Sequence, residues 1–313
     1  MSNLEQTKEK IAKLKKELNA IIVAHNYQRP EVQDIADLTG DSLELARMCV
    51  GTKAETIVFC GVRFMAETAA ILNPSSMVLL SHPEAGCPLA DMIDIGKLRR
   101  WKESYPEAAV VAYVNTTAAI KAESDFCCTS ANGIDVVNAM PNEEIFFIPD
   151  QNLGHYVSTK TNKKMILYPG FCYVHDRITA EQVKLAKQRY PQARVLVHPE
   201  CRPEVINLAD AALSTSQMLR YAKQSEEKTF LIGTEEGILH PLRKQNPEKE
   251  FHIMTSNFIC ADMKKTTLEM VIETMETRRN VVTVPEEVRI RAKQAIDRML
   301  AIKAVSSQLI AES

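Results

Sequence analysis

Short, uninterrupted apolar runs punctuate the chain, each separated from the next by a longer stretch with helical spacing. They fall at residues 21–24, 56–59, 77–80, 110–113, 144–147, 165–167, 195–197, 229–232 and 251–254. A strand with one wet face alternates polar and apolar positions, whereas a continuous run predicts a strand buried on both faces, as in a parallel sheet covered by helices. The alternation of such runs with helices predicts an α/β protein. At the ends, Leu4, Ile11, Leu14 and Leu18 recur at helical spacing, and Pro285 opens a final helix with apolar positions Val288, Ala292, Ile296, Leu300 and Val305. Both end helices are expected to serve packing.

The runs group into a threefold repeat. A shift of 173 positions lays His25 on His198, and Arg29, Pro30, Glu31 and Val32 on Arg202, Pro203, Glu204 and Val205. A divergent middle copy, offset by 88 from the first, puts Tyr113 in the histidine place. The same offsets bring together Ser42, Ser130 and Thr215, each in a cluster that starts a helix, where Ser and Thr are ordinary caps. In every copy a cysteine follows the third apolar run: Cys87, Cys172 and Cys260, spaced by 85 and 88. Each copy reads strand, helix, strand, helix, strand, cysteine, helix. The expected organisation is an N-terminal helix at 1–20, α/β repeats at 21–108, 109–193 and 194–280, and a C-terminal helix at 281–313. The expected fold class is α/β: three pseudo-threefold-related small parallel-sheet (Rossmann-like) α/β/α domains around a central active site.

Composition narrows the function. Of 313 residues 45% are hydrophobic, enough for a sizeable core. Lys and Arg number 38 against 40 Asp and Glu, without blocks of one sign, so neither a nucleic acid nor another polyanion is expected as partner. No apolar run approaches the roughly 20 residues that cross a bilayer. The N-terminus lacks the pattern of an export signal, so a cytoplasmic protein with reduced thiols is expected. Its eight cysteines contain no Cys-x-x-Cys pair, so any metal site must be assembled from distant residues.

In an open parallel sheet, ligands bind beyond the carboxyl ends of the strands. That rule selects His25, Asn26 and Tyr27 in the first copy, Tyr113, Asn115 and Thr116 in the second, and His198, Glu200 and Cys201 in the third. It also selects Cys87, Cys172 and Cys260. If the three edges face one axis, these residues line one hole, too polar to pack dry. Each cysteine precedes a helix, and a helix N-terminus favours a thiolate, which is what a soft metal needs. Zinc stays open at this point, since His175 lies three residues after Cys172; so does an iron-sulfur cluster. Helix starts at Ser42, Ser130 and Thr215 around the same hole would suit an anionic substrate. Cys49, Cys60, Cys127 and Cys128 are expected to be core or free thiols.

The motifs Ala-His-Asn-Tyr-Gln (24–28), Gly-Asp-Ser (40–42), Gly-Cys-Pro-Leu-Ala-Asp-Met (86–92), Tyr-Val-Asn-Thr (113–116), Gly-Phe-Cys-Tyr-Val-His (170–175), His-Pro-Glu-Cys (198–201), Gly-Thr-Glu-Glu-Gly (233–237) and Cys-Ala-Asp-Met-Lys-Lys-Thr-Thr-Leu-Glu (260–269) strongly resemble quinolinate synthase, in order over nearly the whole chain. The resemblance implies condensation of iminoaspartate with dihydroxyacetone phosphate to quinolinate, with loss of phosphate and two waters, in de novo NAD biosynthesis. It implies a [4Fe-4S] cluster on Cys87, Cys172 and Cys260, its open iron acting as a Lewis acid in dehydration. It implies acid-base roles among Tyr27, His25, Glu200, His198, His175 and Tyr113. Substrate would be bound by His25, Ser42, Tyr113, Asn115, Ser130, His198, Glu200 and Thr215, with an aspartate-oxidising enzyme supplying the imine. Some family members carry a Cys-x-x-Cys-x-x-Cys run at the third ligand; here only Cys260 stands there, so disulfide regulation is not expected. Tyr168-Pro169 stands where many members have a Trp, with no catalytic consequence expected. Two other readings remain alongside this one: another [4Fe-4S] hydro-lyase acting on a different hydroxy acid, and a non-catalytic three-repeat protein that binds a metal or ligand.

Overall fold

The computed structural model describes residues 3–256 and 258–302. Twelve strands form three four-stranded parallel sheets. The first holds β1 (Ala20–His25), β2 (Leu38–Gly40), β3 (Thr56–Cys60) and β4 (Met77–Leu80). The second holds β5 (Ala109–Tyr113), β6 (Phe126–Cys128), β7 (Glu144–Ile148) and β8 (Lys164–Leu167), and the third β9 (Arg194–Val197), β10 (Ala211–Ala212), β11 (Thr229–Gly233) and β12 (Glu250–Ile253). All three share one order, β2-β1-β3-β4, β6-β5-β7-β8 and β10-β9-β11-β12.

The apolar runs correspond to the first, third and fourth strand of each sheet. The second strand is an addition to the expected pattern. Leu38–Gly40, Phe126–Cys128 and Ala211–Ala212 are too short to stand out as apolar runs; each is defined by its pairing with the neighbouring strand.

Successive residues along each strand enter opposite cores, as the pleat requires. In the first sheet Val23, Ile57 and Phe59 enter one apolar cluster, while Ile22, Ala24, Val58 and Cys60 enter another. The long helix downstream of each cysteine packs on the next sheet rather than on the sheet that precedes that cysteine. Helix Ile95–Ser104 sets Leu98 and Trp101 against Val110, Ala112 and Phe146 of the second sheet, with Trp101 stacked on Phe146 at 4.7 Å. Helix Ala180–Arg189 sets Val183 and Ala186 against Val195, Val197 and Leu231 of the third. Helix Leu268–Thr277 closes the cycle by burying Leu268, Val271 and Met275 against Ile22, Val58 and Leu79 of the first. Each fully buried side chain of this size contributes roughly 1.5–3 kcal/mol. Every cysteine therefore sits on a connection that crosses between sheets, which is how residues far apart in sequence meet.

The N-terminal helix Asn3–Glu17 buries Ile11, and Leu18 just beyond it is buried too, but Leu4 is 43% exposed and takes no part in packing. The C-terminal helix Glu286–Ala301 buries Ala292, Ala295, Ile296 and Met299 beside Ala118 and Ala122, with Pro285 as its cap rather than its first residue. Val305 and the remainder of the expected C-terminal element lie outside the described residues. Just before that helix the chain runs antiparallel to β4: Leu80 donates to the Asn280 carbonyl at 3.0 Å and Val282 to that of Val78 at 2.8 Å. That pairing covers a sheet edge. Among the described residues no helix is long and apolar enough to cross a membrane.

Candidate active site and metal centre

The carboxyl ends of β1, β5 and β9 open onto one cavity lined by residues of all three repeats. Every residue singled out for catalysis, substrate or metal lines it. The first repeat supplies His25, Tyr27, Ser42 and Cys87; the second Tyr113, Asn115, Ser130, Cys172 and His175; the third His198, Glu200, Thr215 and Cys260.

Three residues chosen by the same sheet-edge rule turn away. Asn26 is buried behind the wall and donates to Thr215 Oγ1 at 3.0 Å. Thr116 Oγ1 donates to the Tyr113 carbonyl at 3.1 Å. Cys201 does not face the cavity as expected: it is fully buried in apolar surroundings, Sγ 3.6 Å from the Gly233 carbonyl. Cys49, Cys60, Cys127 and Cys128 are buried, and all eight thiols are free.

The expectation that Ser42, Ser130 and Thr215 cap their helices is corrected by their neighbours. Asp41 caps the helix Ser42–Cys49 by accepting the Leu43 and Glu44 N–H groups. Ser214 caps Thr215–Gln224 in a capping box with Gln217. Ser130 lies two residues before Asn132, which stands at the start of Gly133–Ala139. Asn132 makes no side-chain cap there, its Oδ1 accepting the Thr129 N–H at 2.8 Å instead; none of Ser42, Ser130 and Thr215 is itself the cap, and all three line the cavity. No Lys or Arg is among the residues that line it, so an anionic ligand would be met by neutral donors.

A polar chain crosses the cavity wall. Tyr27 Oη lies 2.5 Å from Thr234 Oγ1, which lies 2.8 Å from His175 Nε2. His175 Nδ1 touches Glu200 Oε2 at 2.5 Å without hydrogen-bond alignment. Glu200 Oε1 accepts from Asn115 Nδ2 at 3.5 Å. His198 Nδ1 accepts the Glu200 N–H at 3.3 Å, which puts the ring proton on Nε2, 3.2 Å from Ser130 Oγ. In the same way His25 Nδ1 accepts the Tyr27 N–H at 3.1 Å, so its proton is on Nε2. The rings of His175 and His198 stack at 4.5 Å. Asn115 Oδ1 is a buried polar atom without a hydrogen-bond partner, a debt that a bound ligand would settle.

Burial sets the protonation states. It lowers His25 to about 4, only partly opposed by Asp41, and it lowers His175 as well. Burial raises Tyr27 and Tyr113 well above the usual phenol value, so both stay proton donors. Burial alone would raise Glu200, but His198 and His175 outweigh it and hold the carboxyl well below its usual range. Thr234 and Asp41 were not singled out by sequence reasoning. Thr234 sits just past β11 in the Gly-Thr-Glu-Glu-Gly motif, so the sheet-edge rule applied to the third strand of each copy would have found it.

Cys87, Cys172 and Cys260 are partly buried and close enough to raise one another's pKa, Cys260 acting on Cys87 and Cys87 on Cys172. Cys87 and Cys172 do stand at helix starts, but those helices have four residues each, and burial outweighs the backbone N–H groups: all three thiols are shifted up. A soft cation is what converts such thiols to thiolates, so the donor set fits a thiophilic metal group. Cys172, His175 and Glu200 also bring sulfur, nitrogen and oxygen ligand atoms within 4.8 Å of one another, a second grouping that could hold a metal ion.

Fold and cavity together define a class: a three-sheet α/β protein of pseudo-threefold design whose shared cavity receives one thiol from each repeat. A family model described as Quinolinate synthetase A protein matches residues 9–301. The quinolinate synthase of Methanoregula boonei is 54% identical over 302 residues, covering 96% of this chain and 100% of that protein. Quinolinate synthase 2 of Methanosarcina acetivorans is 52% identical over 94% of this chain and 95% of its own, and a Dehalococcoides mccartyi quinolinate synthase 53% over 94% and 97%. The chain belongs to the quinolinate synthase family.

Proposed function

We propose that this protein is a cytoplasmic condensing synthase, a transferase that joins iminoaspartate to dihydroxyacetone phosphate to form quinolinate, releasing phosphate and two waters. The observation that carries the reading is the meeting, in one cavity, of one thiol from each repeat with Tyr27, His175 and Glu200, the first two linked by the buried Thr234 behind the wall. Cys87, Cys172 and Cys260 would hold a [4Fe-4S] cluster. Bound by only three protein ligands, such a cluster supplies a Lewis acid for dehydration.

The protein's own groups account for the rest. The hydroxyls of Ser42, Ser130 and Thr215, the Asn115 amide and the imidazole N–H groups of His25 and His198 bind carboxylate and phosphate oxygens through neutral donors. Glu200, ionised and deep in the cavity, is the base for enolisation next to a carbonyl. Tyr27, a protonated phenol, gives a proton to a leaving or enolate oxygen and recovers it through Thr234 from His175 Nε2, while His175 Nδ1 takes up the proton that Glu200 has abstracted, so the imidazole stays neutral throughout. Tyr113 orients the substrate from the opposite repeat. An aspartate-oxidising enzyme is the natural source of the unstable imine.

The test is an anaerobic assay for quinolinate from iminoaspartate and dihydroxyacetone phosphate, using protein that retains its iron and sulfide. Turnover is expected; protein with full iron and sulfide that forms no quinolinate would sink the proposal. The Cys172, His175 and Glu200 grouping favours a second reading, a single divalent ion. Colourless protein with stoichiometric zinc would support it over the cluster.

A further inference from the structure

One hydrogen bond that ties the cysteine loop to its sheet occurs three times. The N–H groups of Arg63, Gln151 and Glu236 donate to the carbonyls of Ala85, Gly170 and Phe258 at 2.8, 2.8 and 2.9 Å. Each of those carbonyls lies two residues before Cys87, Cys172 or Cys260. Immediately before the three donors stand Val62, Asp150 and Glu235, related by the repeat offsets of 88 and 85 and all buried.

Here the repeats diverge. Asp150 Oδ2 accepts the Cys172 N–H at 3.0 Å while its Oδ1 accepts that of Leu153 at 2.8 Å. Glu235 Oε1 accepts the Cys260 N–H at 3.2 Å while its Oε2 accepts that of Gly237 at 2.7 Å. Lys264 Nζ, 2.8 Å from Glu235 Oε1, balances that charge. Val62 has no polar side-chain atom, and among the described residues no carboxylate meets the Cys87 N–H. Capping alone does not require a fully buried carboxyl group, because Ser214 and Thr267 cap their helices with a hydroxyl. The second oxygen is used on a cysteine both times. Gly86 precedes Cys87, with open space where a Cβ would stand, whereas Phe171 and Ile259 precede the other two cysteines.

We infer that Asp150 and Glu235 are positioning residues that fix the Cys172 and Cys260 backbones for metal ligation, leaving Cys87 as the ligand on the most adaptable loop. The inference rests on the reading that the three thiols share one metal group. Partners that orient metal ligands typically change metal affinity by roughly ten- to a hundredfold when removed.

The test compares the parent protein with Asp150→Ser, Glu235→Gln and Val62→Ala after anaerobic reconstitution with iron and sulfide. Loss of iron to a chelator is timed beside thermal melting. Serine keeps a hydroxyl for the Leu153 N–H but cannot also reach Cys172; glutamine keeps one acceptor oxygen of two. Iron loss is expected to be roughly ten- to a hundredfold faster in both carboxylate variants. Asp150→Ser should melt close to the parent, and Val62→Ala should melt lower with the parent's rate of iron loss. Iron loss at the parent's rate in the carboxylate variants overturns the inference, as does a rate that merely follows melting temperature across all three. If Asp150→Ser does not fold, Glu235→Gln decides by the same rate. A parent that takes up no iron and sulfide is a different failure, because it removes the metal reading on which the inference stands.

Discussion

Tyr27, Thr234, His175 and Glu200 come from three different repeats, yet adjacent members of the chain approach within 2.8 Å. Replacing Tyr27 by Phe or Glu200 by Gln keeps shape and removes a proton donor or base. Both variants should retain iron and sulfide while kcat falls by roughly two orders of magnitude or more, the usual scale of acid-base catalysis; steady-state kinetics beside iron analysis checks this. His25 gives a pH signature. Burial lowers its pKa to about 4 from 6.5, so as pH falls across that window the unfolded chain takes up a proton that the folded chain refuses. Stability present above pH 6.5 is therefore lost progressively toward pH 4, by up to about 3 kcal/mol at ~1.4 kcal/mol per tenfold change in proton affinity. Denaturant titrations at several pH values should show that slope, and His25→Gln should flatten it. The histidines, Glu200 and the phenols were legible because they follow the first strand of each repeat. Thr234 was passed over because it follows β11, the third strand of its repeat, and the sheet-edge rule had been applied only after the first.

Helix starts show where pattern reading reaches its limit. The repeat correctly brought Ser42, Ser130 and Thr215 to one cavity, but it could not separate a cap from the residue beside it, since Ser, Thr, Asp and Asn all satisfy the same rule. The structure separates them, and the separation is measurable. Ser130→Ala should weaken quinolinate binding about ten- to a hundredfold, as lost hydrogen bonds to a charged group do, with little change in melting, whereas Thr215→Ala, which also strips the acceptor from the buried Asn26 amide, should lose affinity and about 1–3 kcal/mol of stability together. Ser214→Ala, which removes a cap, should instead cost about 1 kcal/mol of stability and leave affinity in place. Calorimetric affinities beside thermal melts decide between the two outcomes. The edge strands β2, β6 and β10 escaped the apolar pattern for a related reason: their pairing, not their composition, makes them strands.

The repeat period revealed that three cysteines are equivalent, and it did so before any contact was known. It did not reveal that each post-cysteine helix crosses to the next sheet, because a sequence offset carries no information about which neighbour a helix covers. That crossing makes the third repeat structural support for the first. Met275→Ala, which empties a site between helix Leu268–Thr277 and the first sheet, should destabilise the protein by about 2–5 kcal/mol, whereas Leu4→Ala at an exposed position should fall within about 0.5 kcal/mol of the parent. Denaturant unfolding of both variants measures the difference. The central claim is that one thiol from each repeat holds a single shared metal group. Its most direct test is iron and acid-labile sulfide per chain in anaerobically purified Cys87→Ala, Cys172→Ala and Cys260→Ala, beside the buried controls Cys49→Ala and Cys60→Ala. Each of the first three should lose the group while both controls keep it; a full complement of iron and sulfide in any one of those three would contradict the account.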